Sequence, residues 1–367
     1  MFNSAINLLK EIESFGYEAY IVGGFVRDYI LTNTTETNDI DIVTNIPFEI
    51  LKIYETADIS KNKNNFNVII IEYEGYKFEV ASFRGCDIYE DLKNRDFTIN
   101  ALAMDKDMNI ICHDISNSDL DKHILRIGIL GDVLFEADPL RILRGIRFAV
   151  KYNLTVEDNT WNLMKTYFNE AIVVDRHRVY DEFMKGISLN NWTSYIEYYQ
   201  KFGCDFLKDY SAPNCELFDS KSRFLWCFRH CFDVNSLMNS FALTNEDVEL
   251  ISYYRNFWRI VVFEEVSSYE LYMFITSNKG VKYKDICLSI FEAEKIYKPD
   301  IWCKSVLNLA KNVTFITGKD VERVLGIKNS VIVGELIRKT NELLLKDFYY
   351  DDKDNVLRKV YLMLISS

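Results

Sequence analysis

The sequence predicts an α+β head followed by a long all-helical body, and three observations carry that expectation. Short strands and helices alternate up to about residue 135, and strand signals fade beyond about residue 136. The 367-residue chain holds only 4 prolines and 14 glycines, among long stretches of Leu, Ile, Lys and Glu that favour helix. Its length exceeds what one simple core needs, so two or more domains are expected.

In chain order, Ser4 to Phe15 reads as an amphipathic helix stopped by Gly16, with Ile6, Leu8, Leu9, Ile12 and Phe15 on its apolar face. Tyr20-Ile21-Val22 reads as a short buried strand, and Phe25 to Leu31 as a helix entered through Gly23-Gly24. A second strand is expected over Ile40 to Val43, and Pro47 opens another helix. Asn67 to Ile71 and Tyr76 to Ala81 flank Glu74-Gly75 as a β-hairpin. Pro139 to Val150, Thr160 to Phe168 and Val179 to Ile187 are expected helices, as is most of the chain beyond them. There is no internal repeat and no low-complexity tract.

Hydrophobic residues make up 49% and charged residues 27%, the composition of a globular protein. No charged-then-apolar leader is present, and no apolar run approaches the ~20 residues that span a bilayer, so a cytoplasmic protein with no membrane partner is expected. The eight cysteines lack a CxxC pair and read as small buried hydrophobes; Cys227 and Cys231 lie one helical turn apart near His230, without the second ligand pair a structural zinc needs. Net charge is −12, with 12 basic against 23 acidic residues up to 135 and 31 against 32 beyond. The acidity belongs to the head, and the remainder can still offer a polyanion a basic path.

The chemistry concentrates near the start. A strand running into Gly23-Gly24 and then a helix lets backbone N–H groups approach an anion closely. Asp39 and Asp41, two apart on the expected second strand, project from one face and repel unless a hard cation lies between them, most commonly Mg²⁺. A phosphate cradle beside a divalent-metal platform points to chemistry on a nucleoside triphosphate. Glu79, within Phe78-Glu79-Val80, either completes the carboxylate set or is an exposed or salt-bridged residue.

Three further stretches carry chemistry: Arg95-Asp96-Phe97-Thr98-Ile99-Asn100-Ala101-Leu102-Ala103, Ala137-Asp138-Pro139-Leu140-Arg141 continuing to Ala149, and Asp175 to Phe183. In this order, over about residues 18 to 187, they resemble the class II tRNA nucleotidyltransferase (CCA-adding enzyme) and bacterial poly(A) polymerase family. The resemblance implies a polymerase-β-like nucleotidyltransferase head at 1–135, a helical neck at 136–195, a helical body at 196–300 and a helical, tRNA-binding tail at 301–367. It implies a two-metal mechanism in which Asp39 and Asp41, with Glu79, hold Mg²⁺. Gly23, Gly24 and Arg27 would take the phosphates, Asp28 would pair with Arg27 or cap locally, and Arg95 and Asp96, with Asn100 in the same motif, would meet the ribose. Asp138 and Arg141, three apart on a helix, would read the base. An Asp accepts from an exocyclic amine while an Arg donates to the adjacent ring nitrogen, which fits cytosine and adenine and refuses uracil and guanine. Arg144 and Arg147 continue that face toward the triphosphate.

The chain also departs from the family. Asn94 stands where a first arginine is usual, Glu136 is shifted back by one to leave Ala137-Asp138, and Asp175-Arg176 replaces Glu-Arg, with Arg176 and Glu182 expected to brace the neck. Only Gly85 to Tyr89 intervene between Phe83-Arg84 and Glu90-Asp91-Leu92, where members that add the full CCA usually carry a longer mobile loop. Looser likeness in the tail (Gly318, Lys319, Gly334) implies contact with the tRNA elbow. Four histidines, with His113-Asp114 the one adjacent pair, argue against an appended HD domain. The expected activity is transfer of CMP and AMP from CTP and ATP to the tRNA 3′ end, with tRNA rather than DNA as partner. The alternatives are CC addition alone, poly(A) polymerase, and a catalytically weak tRNA-binding relative.

Overall fold

The structure, a computed structural model, describes residues 1–36, 39–51, 58–61, 67–208, 210–217, 219–229, 237–238, 241–263, 267–296, 298–310, 315–328, 330–346 and 353–365. Two compact units emerge, Met1–Cys204 and Asp205–Ser367.

The first unit opens with α1 (Phe2–Ser14), β1 (Ala19–Val22), α2 (Gly24–Thr32), β2 (Asp41–Thr44), α3 (Phe48–Leu51), β3 (Asp58–Lys61), β4 (Asn67–Tyr73), β5 (Tyr76–Ser82) and α4 (Ile88–Lys93). Next come a 3₁₀ turn (Thr98–Asn100), β6 (Leu102–Met104), β7 (Ile110–Cys112) and α5 (Asp114–Asp121). One seven-stranded sheet runs β3-β4-β5-β2-β1-β6-β7, with β2 and β5 parallel and the other neighbours antiparallel. Alternation fixes the register: Phe78 and Val80 are buried while Glu79 between them is exposed. Ile88 and Leu92 of α4 pack on Val22, Val43, Ala101 and Ala103. In that register Asp41 lies opposite Val22 on one side and Glu79 on the other, so the row ends beside Gly23.

The chain continues through β8 (Ile124–Leu125), α6 (Val133–Ala137), α7 (Arg141–Lys151), β9 (Thr155–Val156), α8 (Asp158–Ala171), α9 (Arg176–Ile187) and α10 (Trp192–Lys201). A two-stranded parallel ladder, β8 with β9, interrupts the expected all-helical run. Helix α7 is the hub, packing on α8, α9 and α10 through buried Leu143, Ile146 and Phe148. Gly145 is required there by close approach, because a Cβ would sit 2.5 Å from Cζ of buried Phe97.

The second unit holds a 3₁₀ turn (Asp205–Leu207) and the helices α11 (Ser220–Phe228), α12 (Asn245–Phe263), α13 (Ser268–Thr276), α14 (Asn278–Ala293), α15 (Lys298–Ala310), α16 (Gly318–Leu325), α17 (Ser330–Lys346) and α18 (Lys353–Ile365). Helix α13 packs on α14, α15 and α17. Fully buried Asn341 ties its amide to both backbone polar groups of Ile316 and to the Tyr269 hydroxyl. Cys227 is buried as expected, whereas His230 and Cys231 lie outside the described residues. Among the described residues no helix is long and apolar enough to cross a membrane. An α+β head with a helical remainder is the fold the sequence predicts.

Candidate active site

One cavity of about 990 Å³ in the first unit gathers Gly23, Gly24, Arg27, Asp39, Asp41, Glu79, Arg95, Asp96, Asn100, Asp138, Arg141, Arg144 and Arg147. Thus every head and neck residue expected to meet metal or nucleotide lines the same space. Gly318, Lys319 and Gly334 lie in the second unit, the first two opening α16 and the third inside α17.

At one end, β1 delivers the chain to Gly23, whose φ of +71° is a left-handed conformation that glycine adopts at no steric cost. The Gly23 N–H donates to the Leu102 carbonyl at 3.1 Å, and no side chain among the described residues caps α2, so the N–H groups that could face an anion are those of the first turn beyond Gly23. Asp41 is accessible from the cavity yet hemmed in by protein. That desolvation, then the charges of Asp39 and Glu79, push its carboxyl up to about 6, against the opposing pull of Arg95 and Arg144. Strand β2 begins at Asp41, not at Ile40. Asp39 therefore precedes the strand instead of sharing its pleat, and the two carboxylates meet through the cavity wall they both line.

Toward the middle, Asp96 is buried, and burial alone would raise its carboxyl. Arg144, whose Nε donates at 2.9 Å, together with Asn100 and Arg141, outweighs that and holds it down to about 2. Arg95 donates Nε and Nη2 to fully buried Asp91 at 2.9 and 2.6 Å. Asn94, the departure from the expected arginine, caps the end of α4. Its side-chain N–H donates to the carbonyls of Arg84 and Glu90, and its own carbonyl accepts from Arg84 Nη1. The short segment after β5 is thereby clamped, and the Arg84 guanidinium is drawn into the cavity, where burial and then Arg95 bring it down to about 10.

At the far end, Asp138 and Arg141 do not share a helix as expected. Asp138 is extended (φ −151°, ψ 92°) between α6 and α7 because Pro139 disfavours a helical residue before it. The turn Arg141 N–H to Asp138 carbonyl, 3.1 Å, still brings them together. The Asp138 carboxylate accepts both Nη groups of Arg178, at 3.2 and 2.7 Å, in a bidentate pair. Among the described residues Arg141 Nη1 is buried without a hydrogen-bond partner, a donor at the cavity.

The poly A polymerase head domain family matches residues 19–126. Over that head region the chain is similar to CCA-adding enzymes. Its curated relatives include CCA-adding enzymes of Staphylococcus haemolyticus, 38% identical over 211 residues, and of Lactobacillus johnsonii, 37% identical over 203 residues. Those matches cover 52% and 50% of this chain and 51% and 50% of the relatives, so the match spans about half the length of each. The fold is shared over nearly the whole chain with two solved structures. One is the Bacillus stearothermophilus CCA-adding enzyme in complex with CTP, with TM-score 0.78, 18% identity and 100% and 98% coverage of the two chains. The other is the Thermotoga maritima CCA-adding enzyme complexed with tRNA, with TM-score 0.71, 22% identity and 99% and 95% coverage.

The neck motif reads differently from the sequence expectation. Arg176 is exposed and outside the cavity lining, and Arg178 is the arginine that reaches Asp138. Glu182 does brace the neck, accepting from Arg147 Nε at 2.8 Å and Lys185 at 3.0 Å. Spacing could have shown this: Arg178 and Glu182 are four apart on one helix face, whereas residues six apart diverge. Asp175 caps α9 by accepting from the N–H groups of His177 and Arg178. Arg84, Asp91 and Arg178 are among the cavity residues that sequence reasoning missed.

Proposed function

We propose that this chain transfers CMP and then AMP from CTP and ATP to the 3′ end of tRNA, building or repairing CCA without a nucleic-acid template. The observation that carries the reading is that a carboxylate pair suited to phosphoryl transfer and an Asp/Arg pair suited to reading a base edge line one cavity. That a related protein was solved with CTP and another with tRNA supports it.

The donor set fits Mg²⁺. Among the described residues no three acidic, histidine or cysteine side chains form a ready metal cage. Mg²⁺ is usually held by one or two carboxylates plus substrate phosphates, which Asp39 and Asp41 supply, with Glu79 beside them. When bound there, the metal would neutralise the triphosphate and help deprotonate the primer hydroxyl. The remaining work belongs to the protein. The first turn of α2 and Arg27 bind phosphates, and Arg95 and Asp96, with Asn100 behind them, fix the ribose side. Asp138 accepts the exocyclic amine of C or A while Arg141 donates to the neighbouring ring nitrogen. Arg178 holds the Asp138 carboxylate in orientation and leaves each oxygen a lone pair for the base. Arg144 and Arg147 keep the α7 face positive toward the triphosphate. We keep the head, neck, body and tail division at 135, 195 and 300, and assign Gly318, Lys319 and Gly334 to contact with the tRNA elbow.

The clamped five-residue segment after Arg84 favours a second reading, CC addition alone. Purified protein given Mg²⁺ and tRNA ending before CCA decides between them. CCA with CTP plus ATP supports the first, CC both with CTP alone and with CTP plus ATP supports the second, and long A tails on unstructured RNA would overturn both.

A further inference from the structure

Residues 144, 148 and 152 succeed one another at single-turn spacing along α7 and its C-cap; Arg144 supplies a guanidinium, and Phe148 and Tyr152 each meet one. Arg144 donates to Asp96 at 2.9 Å. Asp96 accepts from the Asn100 amide at 2.9 Å, and the Asn100 carbonyl oxygen accepts from Arg27 Nη1 at 2.5 Å. Arg27 Nη2 donates to the Tyr152 hydroxyl at 2.5 Å, which returns the chain of bonds to α7. The ring closes around Phe148, whose face lies 5.1, 5.5 and 4.7 Å from the guanidinium carbons of Arg27, Arg144 and Arg147.

Arg27 has no slack in this arrangement. Its Nε donates to Asp28 at 2.9 Å, its two Nη groups are taken by Asn100 and Tyr152, and its guanidinium carbon stands 4.3 Å from the centroid of the Tyr152 ring. The Tyr152 hydroxyl accepts from Arg27, so one phenol engages the cation of that ion pair through both its oxygen and its ring. No other residue of the neck hydrogen-bonds Arg27 among the described residues. Tyr152 lies outside the four sequence stretches on which the family resemblance rests.

We propose that Tyr152 is a positioning residue for nucleotidyl transfer, acting through Arg27 to fix the phosphate-binding end of the cavity in register with the base-reading helix. The inference rests on the reading of the cavity as a nucleoside triphosphate site. Arg27 comes from the head and Tyr152 from the neck helix that carries Arg141, so the bond between them sets the spacing between triphosphate and base. Its loss frees the guanidinium to rotate, which weakens the hold on phosphates whichever base is attached.

The test is equilibrium binding of Mg²⁺–CTP and Mg²⁺–ATP by calorimetry, alongside incorporation into tRNA, for wild type, Tyr152→Phe and Tyr152→Leu. Loss of the hydroxyl in Tyr152→Phe should weaken both nucleotides about tenfold, the effect of one hydrogen bond to a charged group. In incorporation KM should rise by the same factor while kcat stays within about twofold. Tyr152→Leu, which also removes the ring, should weaken binding further. In an Arg27→Ala background, Tyr152→Phe should change binding no further, a coupling that a merely structural role would not produce. Thermal melting identifies any variant that fails to fold, and Tyr152→Phe, which keeps the buried ring, is the deciding variant. Equal affinity of Tyr152→Phe and wild type, or additive losses with Arg27→Ala, would overturn the proposal while leaving the function standing. A folded wild type that binds neither nucleotide would overturn both.

Discussion

The two ends of the head cavity treat charge in opposite ways. At the β1–β2 end, Asp41 lies beside Asp39 and Glu79, and burial together with their repulsion raises its carboxyl to about 6. At the α7–α9 end three carboxylates are matched: Asp138 by Arg178, Asp96 by Arg144, and Glu182 by Arg147 and Lys185. In the proposed function the first end would be completed by a cation that arrives with substrate. The second is assembled before any ligand arrives, so its donors and acceptors already point the right way. In the proposed function, charge left uncompensated thus marks the reacting centre, and compensated charge the recognition surface.

The comparison breaks most visibly under substitution. Asp41→Asn should lower incorporation roughly a thousandfold, the scale of losing a metal ligand in phosphoryl transfer, with a melting temperature equal to or above wild type because repulsion is relieved. A parallel loss of folding would mean that the carboxylate row is structural after all. Glu182→Ala should do the reverse. It strands Arg147, which is mostly buried, and should cost about 3 kcal/mol of stability in urea denaturation. Arg178→Lys keeps the charge but loses the fork on Asp138, and should reduce preference for CTP over UTP roughly tenfold with folding intact.

The smallest effect is on pH. Asp41 has a folded pKa of about 6 against an ordinary 3.8, so the folded chain binds its proton more tightly than the unfolded chain. In metal-free protein that contribution lowers the melting temperature as pH rises from about 4 to about 6, and Asp41→Asn should remove it. If the slope of melting temperature against pH is the same in both proteins, Asp41 does not carry the repulsion assigned to it.

Much of this was legible in sequence, for reasons that differ by element. The glycine turn, the hairpin and the helices were visible because φ preference and hydrophobic period are local properties. The head and neck candidates for metal and nucleotide converged because they sit in compact motifs. What escaped depended on partners distant in sequence. Arg178 acquires its role only when α9 meets Asp138, forty residues earlier. Asn94 could be read only as a missing cation until its bonds to Arg84 appeared. The placement of Asp138 on a helix failed for a local reason, the restriction Pro139 imposes on the residue before it.

Single-turnover incorporation of CTP against UTP, in wild type and Asp138→Ala, tests most directly that base reading and transfer share this cavity. Wild type should prefer C over U by about a hundredfold or more, the product of two matched polar contacts, and Asp138→Ala should collapse this ratio while UTP incorporation stays near its wild-type rate. A ratio unchanged by the substitution would contradict a shared cavity.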